Sequence, residues 1–119
     1  METPPIIDPH AIENLRSLNP GDNDAFLREI AGIFFEDTPK RIADLDRSLA
    51  QNDVAFFNRA AHSIKGSSSN LGAFVLRAVA ERLEIRSRQN GLSDIEPMLA
   101  ELKTEYQRAE TEIRRLLNL

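Results

Sequence analysis

The segment spanning residues 59–73 carries the residue types with the clearest capacity for chemistry in this chain. If the segment is helical, at about 100° per residue, His62 lies opposite its apolar side, and the imidazole is predicted to face solvent. Lys65 and Gly66 lie about one turn later on the same outward face, and Ser69 lies about one turn beyond them. Together they would combine a nucleophilic nitrogen on His62, a positive charge on Lys65 and an open space where Gly66 lacks a side chain.

The opposite side of this segment is predicted to be buried. Its members have small or apolar side chains and are Phe57, Ala60, Ala61, Ile64, Ser68 and Leu71. Gly66 is the unusual residue, because glycine inside a helix is less favourable than alanine by about 1 kcal/mol. We expect its missing side chain to let another molecule approach the imidazole of His62.

The order of residues around His62 forms a motif. Residues 61–66 read Ala-His-Ser-Ile-Lys-Gly, and residues 67–73 read Ser-Ser-Ser-Asn-Leu-Gly-Ala. This order resembles the core motif of the histidine-containing phosphotransfer (HPt) domain family, which is Ala-His-x-Leu-Lys-Gly followed by small residues and Leu-Gly-Ala. Ile64 departs conservatively from the commonest form. Residues 34–39 also resemble the family's second helix, and the five-helix layout extends the similarity over nearly the whole chain.

The resemblance implies that His62 accepts a phosphoryl group from one aspartate and passes it to another. Histidine suits this role because its unperturbed pKa of ~6.5 leaves a ring nitrogen unprotonated near neutral pH. Phosphoryl transfer depends on positioning and charge neutralisation, so we expect Lys65 to attract the phosphoryl oxygens and Gly66 to keep bulk away from the ring. Ser69 either donates a hydrogen bond to the phosphoryl group or only remains small.

A second residue of interest lies on the following helix. In some members of the family that this chain resembles, a Glu or Gln 22 residues after the histidine contacts the other ring nitrogen, and that position is Glu84 here. Such a contact would fix the tautomer of the ring. The alternative is a solvent-exposed row of i,i+4 ion pairs, formed by Arg77, Glu81, Glu84 and Arg88. Both interpretations of Glu84 stay open, whereas Arg88 fits the exposed row better.

The same helix has a second apolar side. Phe74, Ala78 and Ile85 lie away from its core-facing leucines and valine, and exposed apolar residues near a reactive group suggest a docking surface. We expect Phe74, with residues of the first helix such as Ile12, to help seat a receiver domain. The alternative is that Phe74 packs against the N-terminal segment. His10 has no comparable setting and is predicted to be a surface residue.

The first half of the chain predicts a short helix followed by a long one. Asp8 and a following proline cap a helix that Asn19-Pro20-Gly21 ends, with Ile12, Leu15 and Leu18 on its apolar side. A second pattern runs from about residue 23 to residue 50. Its buried side is predicted to contain Leu27, Ile30, Phe34, Ile42, Leu45 and Leu49. Pro39 interrupts the pattern, leaving open one kinked helix or two abutting helices.

Three further helices are predicted after a tight connection at Asn52. Asp53 caps the helix that carries His62, and Gly72 ends that helix. The next helix is predicted over about residues 73–89, and the last one begins near residues 93–94. The last helix has a seam of Leu99, Leu102, Tyr106, Ala109, Ile113 and Leu116. The fold class is therefore all-α, an antiparallel up-down-up-down four-helix bundle with a short extra N-terminal helix.

Composition limits the function further. The 119 residues suit one domain, predicted over residues 8–119 after a frayed tail at residues 1–7. A net charge of -4 without a basic tract argues against nucleic acid. The absence of cysteine and the presence of only two histidines argue against a bound metal. No apolar run reaches the ~18 residues that cross a bilayer, and no signal peptide is visible, so we expect a cytoplasmic chain without membrane contact.

The resemblance to the HPt family implies a phosphorelay intermediate of two-component signalling. We expect a monomeric carrier rather than a kinase, with response-regulator receiver domains and a sensor or hybrid histidine kinase as partners. No cofactor is expected on this chain; magnesium would lie in the acidic pocket of the partner receiver. Two alternatives remain: a substrate domain that a chemotaxis-type kinase phosphorylates from ATP, and a helical adaptor without phosphoryl exchange. The cognate partners and the direction of phosphoryl flow are not predicted.

Overall fold

The computed structural model describes residues 5–119, which form five α-helices and contain no β-strand. The helices are α1 (Pro9–Leu18), α2 (Ala25–Ala50), α3 (Val54–Asn70), α4 (Phe74–Asn90) and α5 (Glu96–Leu117). Consecutive long helices pack against one another, and α5 also contacts α2, so that α2 to α5 close into a bundle. The shorter α1 packs on α2. The predicted fold class is confirmed.

The helix starts follow the capping residues for α1 and α3 but not for α5. Asp8 accepts a hydrogen bond from the backbone N–H of His10 at 3.0 Å, and Asp53 accepts one from the N–H of Phe56 at 3.1 Å. The prediction that α5 opens near residues 93–94 is wrong by about two residues. Asp94 has a left-handed backbone conformation with φ of 55°, so it cannot be part of a right-handed α-helix. The buried Ile95 precedes the first helical turn.

Pro39 lies inside one continuous α2, so two abutting helices are excluded. Proline removes one backbone hydrogen bond from the helix. The surrounding turns are nevertheless held by core contacts, because Phe34 and Leu45 are buried on either side of the proline. Packing of the apolar face therefore keeps α2 helical through a residue that is unfavourable locally.

The buried side of each helix agrees with the predicted periodicity, with a few corrections. All six residues predicted to form the buried face around His62 are buried. Leu18, the last residue of α1, is exposed. At the end of α5 the fully buried residue is Leu117, whereas Leu116 is only partly buried. On α2 the interior also holds the small residues Ala31 and Ser48.

The chain preceding α1 is attached to the bundle from Ile6 onward. Ile7 is buried, Ile6 packs on the core, and the N–H of Asp8 donates to the carbonyl of Gly72 at 2.9 Å. The predicted frayed tail at residues 1–7 is therefore wrong for its last residues, and residues 1–4 lie outside the described part. Gly72 has φ of +72°, and an added Cβ would lie 2.5 Å from the Cβ of Ala11, so this junction requires glycine.

None of the helices between residues 5 and 119 is long and apolar enough to span a bilayer.

Candidate functional site

The imidazole of His62 projects from the middle of α3 into solvent. Its side chain is 66% exposed, whereas Ala61 and Ile64 on the opposite face of the same turn are fully buried. The predicted orientation of the ring is confirmed. A histidine placed in this way contributes little to core packing and can be approached by another molecule.

One nitrogen of the ring is held by Glu84 on α4. Nδ1 of His62 lies 2.6 Å from Oε2 of Glu84, so the contact expected from the 22-residue spacing is present. A carboxylate can only accept this hydrogen bond, so Nδ1 carries the proton of the neutral ring. Nε2 is then the nitrogen with the free electron pair.

The second oxygen of Glu84 binds Lys65. The ammonium nitrogen Nζ of Lys65 donates to Oε1 at 2.7 Å, and the lysine side chain is only 23% exposed. Lys65 is thus placed beside His62, but it lies against α4 rather than extending freely into solvent. A single carboxylate links the predicted nucleophile to the predicted cation.

Glu84 is ionised although only 5% of its surface is exposed. Burial raises the pKa of Glu84, but hydrogen bonds from Lys65 and His62, together with the positive charge of Lys65, outweigh burial and lower this pKa below its usual value. A guanidinium nitrogen of Arg88 lies 3.5 Å from Oε2 and adds a second cation. The site therefore keeps a negative charge next to Nδ1 at neutral pH.

The alternative of a solvent-exposed row is wrong for Glu84. A residue buried to this extent does not belong to a solvated stripe, because α4 turns this side chain toward α3. Within residues 5–119, Arg88 is the member of the predicted row that pairs with Glu84. Arg77 and Glu81 remain partly exposed on the same helix.

Two polar side chains that the sequence pattern did not predict as part of the site fix the backbone behind Glu84. The side-chain amide of Asn58 donates to the carbonyl of Glu84 at 2.8 Å, and the hydroxyl of Ser87 donates to the same carbonyl at 3.0 Å. Asn58 lies one turn before His62 on the edge of α3 that faces α4, and this spacing was the signal that could have identified it. The contacts fix the position of α4 relative to His62.

Gly66 leaves an open surface beside the ring. Among residues 5–119, no heavy atom outside its own local backbone lies within 4 Å of a Cβ built at this position. Internal packing therefore does not explain the glycine. Ser68 is buried and donates to the carbonyl of Ile64 at 2.6 Å, which confirms its predicted inward position, and Ser69 is half-buried on the His62 side.

Two apolar surfaces flank α3. On α4, Phe74 and Ile85 are exposed as predicted. Ile12 is buried, so the expectation that it contributes to docking is wrong; its side chain instead attaches α1 to the core. His10 is exposed in the first turn of α1, as predicted.

The second apolar surface is a groove of about 330 Å³ between α1, α2 and the end of α3. Its lining includes Leu15, Ile30, Ile33, Phe34, Ser67 and Leu71. Ile33 is 61% exposed at its edge. The apolar periodicity does not predict this groove, although an isoleucine outside the predicted buried side of α2 is a signal for it.

Residues 29–112 match the family model described as Hpt domain. The chain belongs to the Hpt domain family. This membership gives the domain a histidine phosphotransfer role in the phosphorelays of two-component signalling.

Curated relatives of this Hpt domain occur in yeast and plants. It is 32% identical over 87 residues to Multistep phosphorelay regulator 1 of Schizosaccharomyces pombe, a match that covers 70% of this chain and 30% of the yeast protein. It is 30% identical over 112 residues to Histidine-containing phosphotransfer protein 5 of Arabidopsis thaliana, which covers 88% of this chain and 69% of the plant protein. This chain therefore spans less than a third of the yeast relative.

Solved structures share the fold of this Hpt domain. Histidine-containing phosphotransfer protein B of Pseudomonas aeruginosa PAO1 superposes with a TM-score of 0.86 at 22% identity, covering 98% of this chain and 97% of that chain. The HPT domain of a sensor hybrid histidine kinase from Shewanella gives a TM-score of 0.71 at 22% identity, covering 93% and 97%. At these identities the likeness concerns the arrangement of the helices.

Proposed function

We propose that His62 is the phosphorylated residue of this Hpt domain, receiving its phosphoryl group from a receiver-domain aspartate and passing it to another. The observation that carries the proposal is the exposed ring whose Nδ1 is held by the buried Glu84. This arrangement directs the reactive nitrogen outward and keeps its lone pair available.

The chemical step is an exchange of one bond for another. The lone pair of Nε2 of His62 attacks the phosphorus of the aspartyl phosphate, an N–P bond forms, and the P–O bond to the aspartate breaks. The carboxylate leaves with the electron pair of that bond. The ring becomes positively charged, and Glu84 stabilises this charge through the proton on Nδ1. Donation to the second aspartate is the reverse reaction.

The residues around the ring support transfer between proteins. Lys65 supplies a positive charge for the phosphoryl oxygens, and the open surface at Gly66 admits the loop that carries the partner's aspartate. Magnesium belongs to the acidic pocket of the receiver in this scheme. The proposal describes a monomeric cytoplasmic carrier, not a kinase, that meets a sensor or hybrid kinase and response-regulator receivers in turn.

The receiver must also bind a surface next to His62. The groove containing Ile33 and the exposed Phe74 lie on either side of α3, on α2 and α4 respectively. Burial of apolar surface supplies most of the affinity of such transient interfaces, while the charged groups fix the orientation. We assign docking to these two surfaces, and their separate substitution shows which one each receiver uses.

The proposal is tested by mixing the chain with a receiver labelled as its aspartyl phosphate. The parent chain should acquire an acid-labile, alkali-stable label, and His62→Gln should lose it while keeping its helical content. His10→Gln is the matched control, because His10 is also exposed but lies in α1, and it should keep the label. A label that persists in His62→Gln contradicts the proposal.

The same experiment distinguishes the alternatives for the donor. If a chemotaxis-type kinase with ATP labels His62 and phosphorylated receivers do not, the domain is a kinase substrate. If a partner pathway works equally well with His62→Gln, the chain acts as an adaptor.

A further inference from the structure

Glu84 has more positive charge around it than one carboxylate requires. Lys65 binds Oε1 at 2.7 Å, and Arg88 lies 3.5 Å from Oε2, while Nδ1 of His62 also contacts Oε2. In this resting arrangement two cations face one anion. The extra cation is not explained by stability, because the side chain of Arg88 is 63% exposed and a surface ion pair of this kind contributes little to stability.

Phosphorylation of His62 would change this balance of charge. A phosphoryl group brings a charge of about −1.5 to −2 at neutral pH. To neutralise it, the ammonium of Lys65 has to leave Oε1 of Glu84. The positively charged phosphorylated ring stays on Oε2 of Glu84, but departure of Lys65 leaves Oε1 without its donor. The carboxylate is only 5% exposed, so this incomplete pairing of a buried charge is costly.

Arg88 is positioned to replace Lys65 at Glu84. It follows Glu84 by four residues on α4, so the two side chains lie on neighbouring turns of one face. Once Lys65 has left, the cations of residues 5–119 within 4.0 Å of this carboxylate are the phosphorylated ring itself and Arg88. Its mostly exposed side chain can shorten the present distance without disturbing the core.

We propose that Arg88 is a positioning residue, which neutralises Glu84 while Lys65 moves from that carboxylate to the phosphoryl group on His62. This inference rests on His62 being the phosphorylated residue. The exchange keeps each anion paired before and after transfer. It also explains how Lys65 can serve the phosphoryl group although it is bound to Glu84 in the unphosphorylated site.

The test uses phosphoramidate, a small donor that needs no partner protein. The lone pair of Nε2 forms the new N–P bond, the P–N bond of the donor breaks, and its electron pair leaves with ammonia. We expect Arg88→Gln to lower the initial rate of His62 phosphorylation roughly two- to fivefold at low salt, the range for one partly exposed charge. Arg88→Lys should restore most of the rate, and the melting temperature should not change.

Arg77→Gln is the matched control. Arg77 lies on the same helix, and in the described part of the chain it forms no ion pair with Glu84. This variant should react at the parent rate. The effect of Arg88→Gln should also shrink at about 1 M salt, where the Debye length is about 3 Å.

A double-mutant cycle separates the exchange from simple attraction of an anionic donor. In a Glu84→Gln background there is no carboxylate to neutralise, so Arg88→Gln should have no further effect. A parent rate in Arg88→Gln, or an equal loss from Arg88→Gln in the parent and in the Glu84→Gln background, overturns the inference. Failure of phosphoramidate to label His62 in the parent chain instead contradicts the proposed function.

Discussion

Gly66→Ala tests whether phosphotransfer needs the open surface beside His62, in a variant that should be more stable than the parent. Gly66→Ala adds one methyl group inside α3, four residues before its end. That methyl group meets no heavy atom within 4 Å in the described residues, so it introduces no strain inside the domain. Alanine is favoured over glycine in a helix by about 1 kcal/mol. The expected gain corresponds to an increase in melting temperature of roughly 4 °C for a domain of this size.

Phosphotransfer should change in the opposite direction. If the loop of the receiver fills the space at Gly66, the added methyl group overpacks that contact, which costs about 1–3 kcal/mol. The rate of transfer from a phosphorylated receiver should then fall roughly five- to 150-fold. Phosphorylation by phosphoramidate should stay close to the parent rate, because this donor is too small to need the space.

Gly32 provides a matched control for this experiment. It is also a glycine inside a helix, its added Cβ would also meet no heavy atom within 4 Å in residues 5–119, and it does not line the groove next to α3. Gly32→Ala should raise the melting temperature by a similar amount and leave transfer unchanged. The reasoning is refuted if Gly66→Ala transfers to and from receivers at the parent rate, or if both variants lose transfer equally.

Three further outcomes are expected. Since the pKa of Glu84 is lowered in the folded state, its contribution to stability is present above pH about 4.5 and lost as the pH falls through the folded pKa. The free energy of unfolding, measured in urea, should therefore fall more steeply below pH 4.5 for the parent than for Glu84→Gln. Gly72→Ala should destabilise the domain by about 1 kcal/mol or more in thermal melts, because its Cβ would clash with Ala11 in a left-handed backbone. Ile33→Glu and Phe74→Glu should each leave phosphorylation by phosphoramidate intact. The variant that weakens receiver binding in titrations identifies the docking surface. Unchanged binding in both variants would exclude the assigned surfaces.

Much of the fold could be predicted because most helices have recognisable start or stop residues and each has a 3.6-residue apolar period. Asp8 and Asp53 cap helices as their residue types predict. The start of α5 was misplaced because Asp94 adopts a left-handed turn, which a cap-like residue does not reveal. On α2 the interior includes Thr38, since closely packed helices accept small polar side chains that a hydrophobic pattern overlooks.

The site was predictable where one helix determines it and less so where two helices meet. The outward direction of His62 follows from the period of α3 alone. The pairing of Lys65 with Glu84 depends on the axial position of α4 relative to α3, which is determined by tertiary packing and by the contact of Asn58 with the carbonyl of Glu84. The groove next to Ile33 requires three helices to come together, so no local pattern predicts its shape.

The residues around His62 are not those that would maximise stability. Gly66 weakens α3 without any internal packing reason. Replacing a whole buried ion pair with apolar residues is often neutral or stabilising, so stability alone does not select the pair of Glu84 and Lys65. Gly32 shows that an open helical glycine alone does not identify a site, because it has the same unfavourable effect and nothing in the structure explains it. Transfer between proteins explains the combination of a ring in solvent, a buried anion that fixes its tautomer and a vacant surface beside it, whereas stability does not select this combination.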